Sequence, residues 1–161
     1  MNSFLAIWCA FICFTTTIAF VKNDTKLWSH TFEVNEKLYL LGSVKMNFDD
    51  AINFCKVNNL QLLTIANETE NTNFYNELKE LGVFQNISGL WTSGTKLAKS
   101  NDWIWLPIFE FITFFDWGSN QPDNLYGNEY CISILTHFFV KGHWNDIKCA
   151  ELLIPVCEMP N

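Results

Sequence analysis

Four cysteines outside the first 19 residues constrain this chain more than any other feature: Cys55, Cys131, Cys149 and Cys157. In a small secreted domain four cysteines read as two disulfides, with three possible connectivities. No two of them stand in a CxxC spacing, so a thiolate zinc site is not indicated. The disulfide reading needs an oxidising compartment, and the start of the chain is consistent with one. Phe4 to Phe14 is an uncharged apolar run, and Thr17 and Ala19 occupy the −3 and −1 positions of a cut after Ala19. Thr15 to Thr17 interrupt the run well short of the roughly 20 apolar residues of a spanning helix. No Lys or Arg precedes the run, which departs from the usual signal pattern. Residues 1–19 are therefore read as a signal peptide that carries Cys9 and Cys13 away, and the protein is expected to be secreted. Sequons at Asn23, Asn67 and Asn86 fit glycosylation in the same compartment.

The remaining part of the 161-residue chain is long enough for one hydrophobic core and is read as one domain, residues 28–159. Hydrophobic residues make up 49%, a globular rather than a disordered composition. The net charge is −7, and the ten basic residues are all lysines scattered along the chain. Nucleic-acid binding needs clustered Lys and Arg against phosphate, so it is set aside. Anionic lipid surfaces are equally unsuitable, whereas hard cations are attractive partners.

Periodicity divides the chain into an early helical part and a late strand-rich part. Leu38 to Leu40 reads as an early strand. Asn47 reads as a helix N-cap followed by acidic Asp49 and Asp50. Phe48, Ala51, Ile52 and Cys55 then fall at i, i+3, i+4 and i+7, one apolar face that turns Cys55 inward. Leu60 to Ile65 reads as a short buried strand. A second helix is expected from Glu68 to Leu81, stopped by Gly82. Beyond it, Leu90-Trp91, Trp103-Ile104-Trp105 and Phe114-Phe115-Asp116-Trp117 are aromatic runs between polar segments. Gly118 to Gly127 reads as a polar loop. Cys131 to Leu135, Phe138 to Val140 and Ile154 to Glu158 complete the strands. The order of elements predicts an α+β fold.

The segment that carries chemistry is Gln121-Pro122-Asp123, then Glu129, then Trp144-Asn145-Asp146. Its side chains offer three carboxylates and two amide carbonyls. Oxygen-only donors suit Ca²⁺, which takes about six to eight of them in flexible geometry, and do not suit metals that want sulfur or imidazole. A cis Gln121-Pro122 bond would make a tight turn aiming Gln121 and Asp123 at one point, and residues two apart on a strand would share a face in any case. Each motif alone is equally an ordinary surface turn. Their joint spacing is what points to a metal.

Across about Trp28 to Met159 the chain resembles the C-type lectin domain family. The resemblance rests on Phe48 and Ala51 around Cys55, Glu70 and Asn71, Leu90-Trp91-Thr92-Ser93-Gly94, Trp105 and Trp117. It continues through Gln121-Pro122-Asp123, Glu129 two residues before Cys131, Trp144-Asn145-Asp146, Cys149 and Cys157. It is also similar to small secreted insect lectins. The resemblance implies two helices plus antiparallel sheets, a long calcium-binding loop region, and the disulfides Cys55–Cys157 and Cys131–Cys149. It implies one calcium ion on Gln121, Asp123, Glu129, Asn145 and Asp146, which would also contact a sugar. A second site is not expected, because its neighbours Asn124 and Tyr130 are not acids. The Gln-Pro-Asp order resembles galactose and N-acetylgalactosamine binders, where Glu-Pro-Asn resembles mannose binders. The aromatic ring that galactose binders stack on the sugar is missing directly after the loop, and Tyr126 is the candidate in its place.

A calcium-dependent lectin for galactose-type glycans on glycoproteins or cell surfaces is therefore the leading reading, with oligomerisation a route to avidity. The alternative is a lectin-like domain that binds a protein and uses calcium only for loop stability. A glycosidase would need carboxylates free of metal, so no enzyme activity is expected. His143 adjoins Trp144 and is expected near the site, without a catalytic role.

Overall fold

A computed structural model describes residues 26–85, 87–135 and 143–160. The signal peptide expected over residues 1–19, the sequons at Asn23 and Asn86, and the strand expected at Phe138–Val140 lie outside these residues. The described chain runs through β1 (Trp28–Val34), β2 (Lys37–Gly42), α1 (Phe48–Val57), β3 (Gln61–Leu62) and α2 (Glu68–Glu80). It continues through β4 (Gly89–Lys96), β5 (Trp103–Trp105), β6 (Glu110–Phe111), β7 (Cys131–Leu135), β8 (Trp144–Ile147) and β9 (Ile154–Glu158). The sheet order is β1-β2-β9-β4-β5-β6; β3 pairs with β9, and β7 joins β4 to β8. All pairings between these strands are antiparallel except β4 with β9, where Leu90 faces Ile154.

Both helices begin as their sequences dictate. The Asn47 side chain accepts from the Asp50 amide at 2.9 Å, and the Asn67 side chain accepts from the Glu70 amide at 3.0 Å. The second helix ends at Glu80, with Leu81 as its cap and Gly82 in the left-handed region (φ 68°) that glycine adopts freely. Phe48, Ala51 and Cys55 of α1 are buried, as the spacing requires. β1 was not legible as a strand because a register shift between Trp28 and His30 breaks its alternation. Of the strand expected over Leu60 to Ile65, only Gln61–Leu62 pairs regularly. The segment is nevertheless buried throughout and is held by backbone bonds from Leu63 to Val156 and from Ser93 to Leu63.

The core has two parts. One packs Tyr39, Phe74, Leu78, Leu90, Ile132, Ile134 and Trp144 beneath α2. The other packs Phe48, Ala51, Leu62 and Trp91 beneath α1. Glu158 is fully buried between them, with Lys37 at 2.9 Å and hydrogen bonds from Gln61 and Thr64. Cys55–Cys157 ties α1 to β9, with Cα atoms 5.5 Å apart, and Cys131–Cys149 ties the start of β7 to the residue beyond Lys148, with Cα atoms 5.3 Å apart. Both bonds are those the resemblance implied.

Candidate functional site

The β7–β8 ladder sets the site. Ile132 pairs with Asp146 and Ser133 with Asn145, so the Asn-Asp pair lies beside the strand that follows Glu129. Trp144 fixes β8 from below: it is fully buried, and its indole N–H donates to Asn71 at 3.1 Å. Trp105, Phe114 and Trp117 meet it edge to face. The polar loop enters at this anchor. Trp117 bridges to Trp144, and the Gly118 amide donates to the Trp144 carbonyl at 2.8 Å. A side chain at Gly118 would press on that carbonyl, since its Cβ would lie 3.3 Å away.

From Gly118 the chain turns through Asn120 (φ 65°) and the cis Gln121-Pro122 bond. It then folds back over the Asp146 carboxylate. One oxygen of Asp146 accepts the Asp123 amide at 2.9 Å and the other accepts the Asn124 amide at 2.8 Å. The Leu125 amide is shared between Asp123 at 3.2 Å and Glu129 at 2.8 Å. The Asn124 side chain, on a left-handed backbone, accepts the Glu129 amide at 3.1 Å. Oxygens of Asp123, Glu129 and Asp146 consequently all lie within 4.8 Å of one another.

Three carboxylates so close repel each other. Burial raises the Glu129 carboxyl above its ordinary value. The charges of Asp146 and Asp123 push it further, and the Leu125 amide opposes the rise. The side-chain oxygen of Gln121 is shielded from water and has no hydrogen-bond partner. Asn145 uses its amide nitrogen on the Asp146 carbonyl at 2.6 Å, which turns its donor inward. The donor set is oxygen throughout, concentrated, and short of positive charge. A hard dication satisfies each of these conditions.

The other expected residues fall out as follows. Tyr126 is 84% exposed on the short helical turn Leu125–Gly127, and its ring meets the Lys148 ammonium 5.4 Å from the centroid. His143 does not join the acid cluster. Its ring pairs with the Asp116 carboxylate and stacks on Tyr75, so its role is to fasten the loop entrance to α2. Sequence reasoning missed Asp116, Asn124 and Lys148. Asn124 sits in a turn-rich segment where Asn favours a left-handed backbone, and that was its only signal. Asp116 binds Asn71 at 2.8 Å through the fold, and nothing local announces it.

Relatives and solved structures agree with this architecture. The chain is 23% identical to C-type lectin 16 of Aedes aegypti over 96% of its own length and 94% of the relative's. It is 24% identical to collectin-10 of Xenopus tropicalis over 89% of its length, and spans only 48% of that protein. The solved carbohydrate-recognition domain of the human scavenger receptor C-type lectin superposes with a TM-score of 0.67 at 25% identity, over 82% of this chain and 97% of that one. The Lectin C-type domain model matches residues 44–159, and the chain therefore belongs to the C-type lectin domain family.

Proposed function

We propose that this protein is a secreted lectin that binds galactose-type glycans through one calcium ion held by Gln121, Asp123, Glu129, Asn145 and Asp146. The observation that carries the reading is the convergence of three carboxylates in the loop where Gln121, two residues before Asp123, keeps a buried side-chain oxygen without a partner. When bound, calcium supplies a centre that accepts two vicinal sugar hydroxyls. Around it, carboxylate oxygens accept hydrogen bonds from those hydroxyls and amide NH₂ groups donate to them. Gln121 and Asp123 place a donor and an acceptor on opposite sides of the loop proline, the order that resembles galactose binders. The test is a galactose resin. The protein is retained with calcium and released by chelator. Retention in excess chelator would defeat the reading.

Exchanging the two side-chain types tests specificity. Gln121→Glu with Asp123→Asn preserves the charge of the site, so calcium binding survives. A galactose hydroxyl pair would then meet mismatched partners, at about 1–3 kcal/mol. The galactose-to-mannose affinity ratio is expected to fall roughly five- to hundredfold, as read by competition with the free sugars. An unchanged ratio would dissociate loop order from sugar choice.

Acid weakens the site. Calcium binding needs ionised carboxylates, and the raised Glu129 carboxyl takes up a proton more readily than an ordinary glutamate. The sign for folding follows from linkage. A carboxyl raised in the native state favours folding below its unfolded value, and that contribution is lost as pH rises through the raised value. The metal-free protein is therefore penalised near neutrality, and calcium relieves the penalty there. Calorimetry is expected to give weaker calcium affinity, and melting a smaller calcium-induced shift, at about pH 5 than at about pH 7. A pH-independent affinity would exclude Glu129 as a ligand.

Asn67 is proposed to carry a glycan. It is exposed, and it caps α2 through its oxygen, which leaves the amide nitrogen for the sugar. The second reading, a protein-binding surface with structural calcium, draws on Phe109 and Phe111, which are 75% and 64% exposed around β6. Sugar elution that depends on Gln121 and Asp123 decides against it.

A further inference from the structure

Tyr126, three residues after Asp123, meets Lys148, two residues after Asp146, and neither belongs to the core or to the ligand set. Lys148 follows β8 directly and precedes Cys149, whose disulfide to Cys131 fixes its backbone. Among the described residues its ammonium pairs with no carboxylate. It lies instead over the Tyr126 ring. In a chain of net charge −7, with three carboxylates close by in sequence, a lysine held on an aromatic face and left without a counter-charge is the unusual element. Tyr126 is equally unusual. Its backbone is left-handed (φ 61°, ψ 13°), a region a bulky residue enters only when its surroundings impose it. Here the Gly127 amide closes the turn on the Asn124 carbonyl at 2.7 Å, and the Tyr130 hydroxyl donates to the Gly127 carbonyl at 3.0 Å. The turn spends this strain on presenting one aromatic ring to solvent.

We propose that Tyr126 and Lys148 form a subsite for galactose that carries an anionic substituent on O6. The inference rests on the reading of the acid cluster as a calcium site for galactose. With the 3- and 4-hydroxyls engaged there, O6 on the neighbouring exocyclic carbon is the free arm of the sugar. The face of galactose that stacks on an aromatic ring is built from the C–H groups of C3, C4 and C5, with C6 at its edge, so a group on O6 reaches past the ring edge. The lysine stem is flexible, and its ammonium leaves an exposed ring at little cost. A formal negative charge is then its better partner. Two sources offer that chemistry: a sulfate ester on O6 or the carboxylate of an O6-linked sialic acid.

The experiment compares calcium-dependent affinities for galactose, galactose 6-sulfate, O6-sialylated galactose and galactose 3-sulfate, using the wild type, Lys148→Met and Lys148→Arg. The wild type is expected to prefer at least one O6-anionic ligand over galactose by about two- to fivefold, an advantage that shrinks as salt is added. Lys148→Met brings that ratio to about one, and Lys148→Arg keeps it. The 3-sulfate, whose anion occupies a hydroxyl the site needs, binds worse than galactose. Nuclear magnetic resonance adds a direct reading, with the Lys148 side-chain carbons and the Tyr126 ring shifting on addition of the preferred anionic ligand. Whichever acid binds better identifies the source. Wild-type ratios of one for both acids overturn the inference while the galactose site stands, and so does a ratio that survives Lys148→Met. Absence of calcium-dependent binding to any galactoside overturns the reading of the site and this inference with it.

Discussion

An Asp146→Asn variant is expected to lose calcium affinity by at least about a hundredfold, and sugar retention with it. Asp146 has two roles at once. Its carboxylate is one of the three that converge, and both its oxygens hold the loop through the amides of Asp123 and Asn124. Replacing a residue that merely orients a metal ligand typically costs about 10- to 100-fold in affinity, and Asp146 is proposed as ligand and orienter together. Asparagine removes a charge and also turns an NH₂ group toward an N–H that now has no acceptor. Each charge-assisted bond of this kind contributes about 1.5–3 kcal/mol, so loop order suffers too. Calorimetric titration with calcium is the measurement. An affinity within a few-fold of wild type would remove Asp146 from the ligand set. Asp123→Asn is a useful contrast, since Asp123 is exposed and accepts only the shared Leu125 amide; its loss should affect calcium with little change in loop order.

Removing the Cys55–Cys157 bond by a double alanine substitution is expected to cost about 4–5 kcal/mol of stability. Its partners are separated by 102 residues, and loop-closure entropy for that length is about 4.7 kcal/mol. That is a large part of the 5–15 kcal/mol typical of a domain. The Cys131–Cys149 bond closes only 18 residues, for about 3 kcal/mol on the same basis. The two losses should differ in kind as well as size. Cys131–Cys149 brackets Asn145 and Asp146, so its removal should weaken calcium affinity in protein that is still folded. Cys55–Cys157 joins α1 to β9, neither of which contributes a residue to the acid cluster, so its removal should lower the denaturation midpoint and spare the calcium affinity of the folded fraction. Denaturant melts combined with calcium titration separate these outcomes. Equal effects of both removals on calcium affinity would contradict the assignment.

Local signals made much of this fold legible. Asn47 with Phe48, Ala51 and Cys55 marked α1, and Gly82 marked the end of α2, because capping and periodicity act over a few residues. β1 was hidden by the irregularity at Trp28, which shifts the inward positions out of step. The parallel pairing of β4 with β9 was hidden for another reason: Leu90 and Ile154 come from distant segments, and neither carries a mark of its partner. At the site, the spacing of Asp123, Glu129 and Asp146 foretold that they would meet. The hydrogen bonds that make them meet were not legible. Asn124 reaches the Glu129 amide from a left-handed backbone, and Asp116 works through Asn71 of α2 and His143, the residue before β8.

The loop over Asp146 carries a consequence for motion. The amide hydrogens of Asp123, Asn124 and Leu125 are held by carboxylates rather than by a strand or an apolar lid, and Pro122, Asp123, Leu125 and Tyr126 are all exposed. Little besides those acids protects the three hydrogens from solvent. Neutralising the acids' mutual repulsion should close the loop, and releasing the cation should open it without unfolding the sheet beneath. Deuterium uptake at these three amides would then follow calcium occupancy, while amides of β4 and β7 exchange at one slow rate throughout.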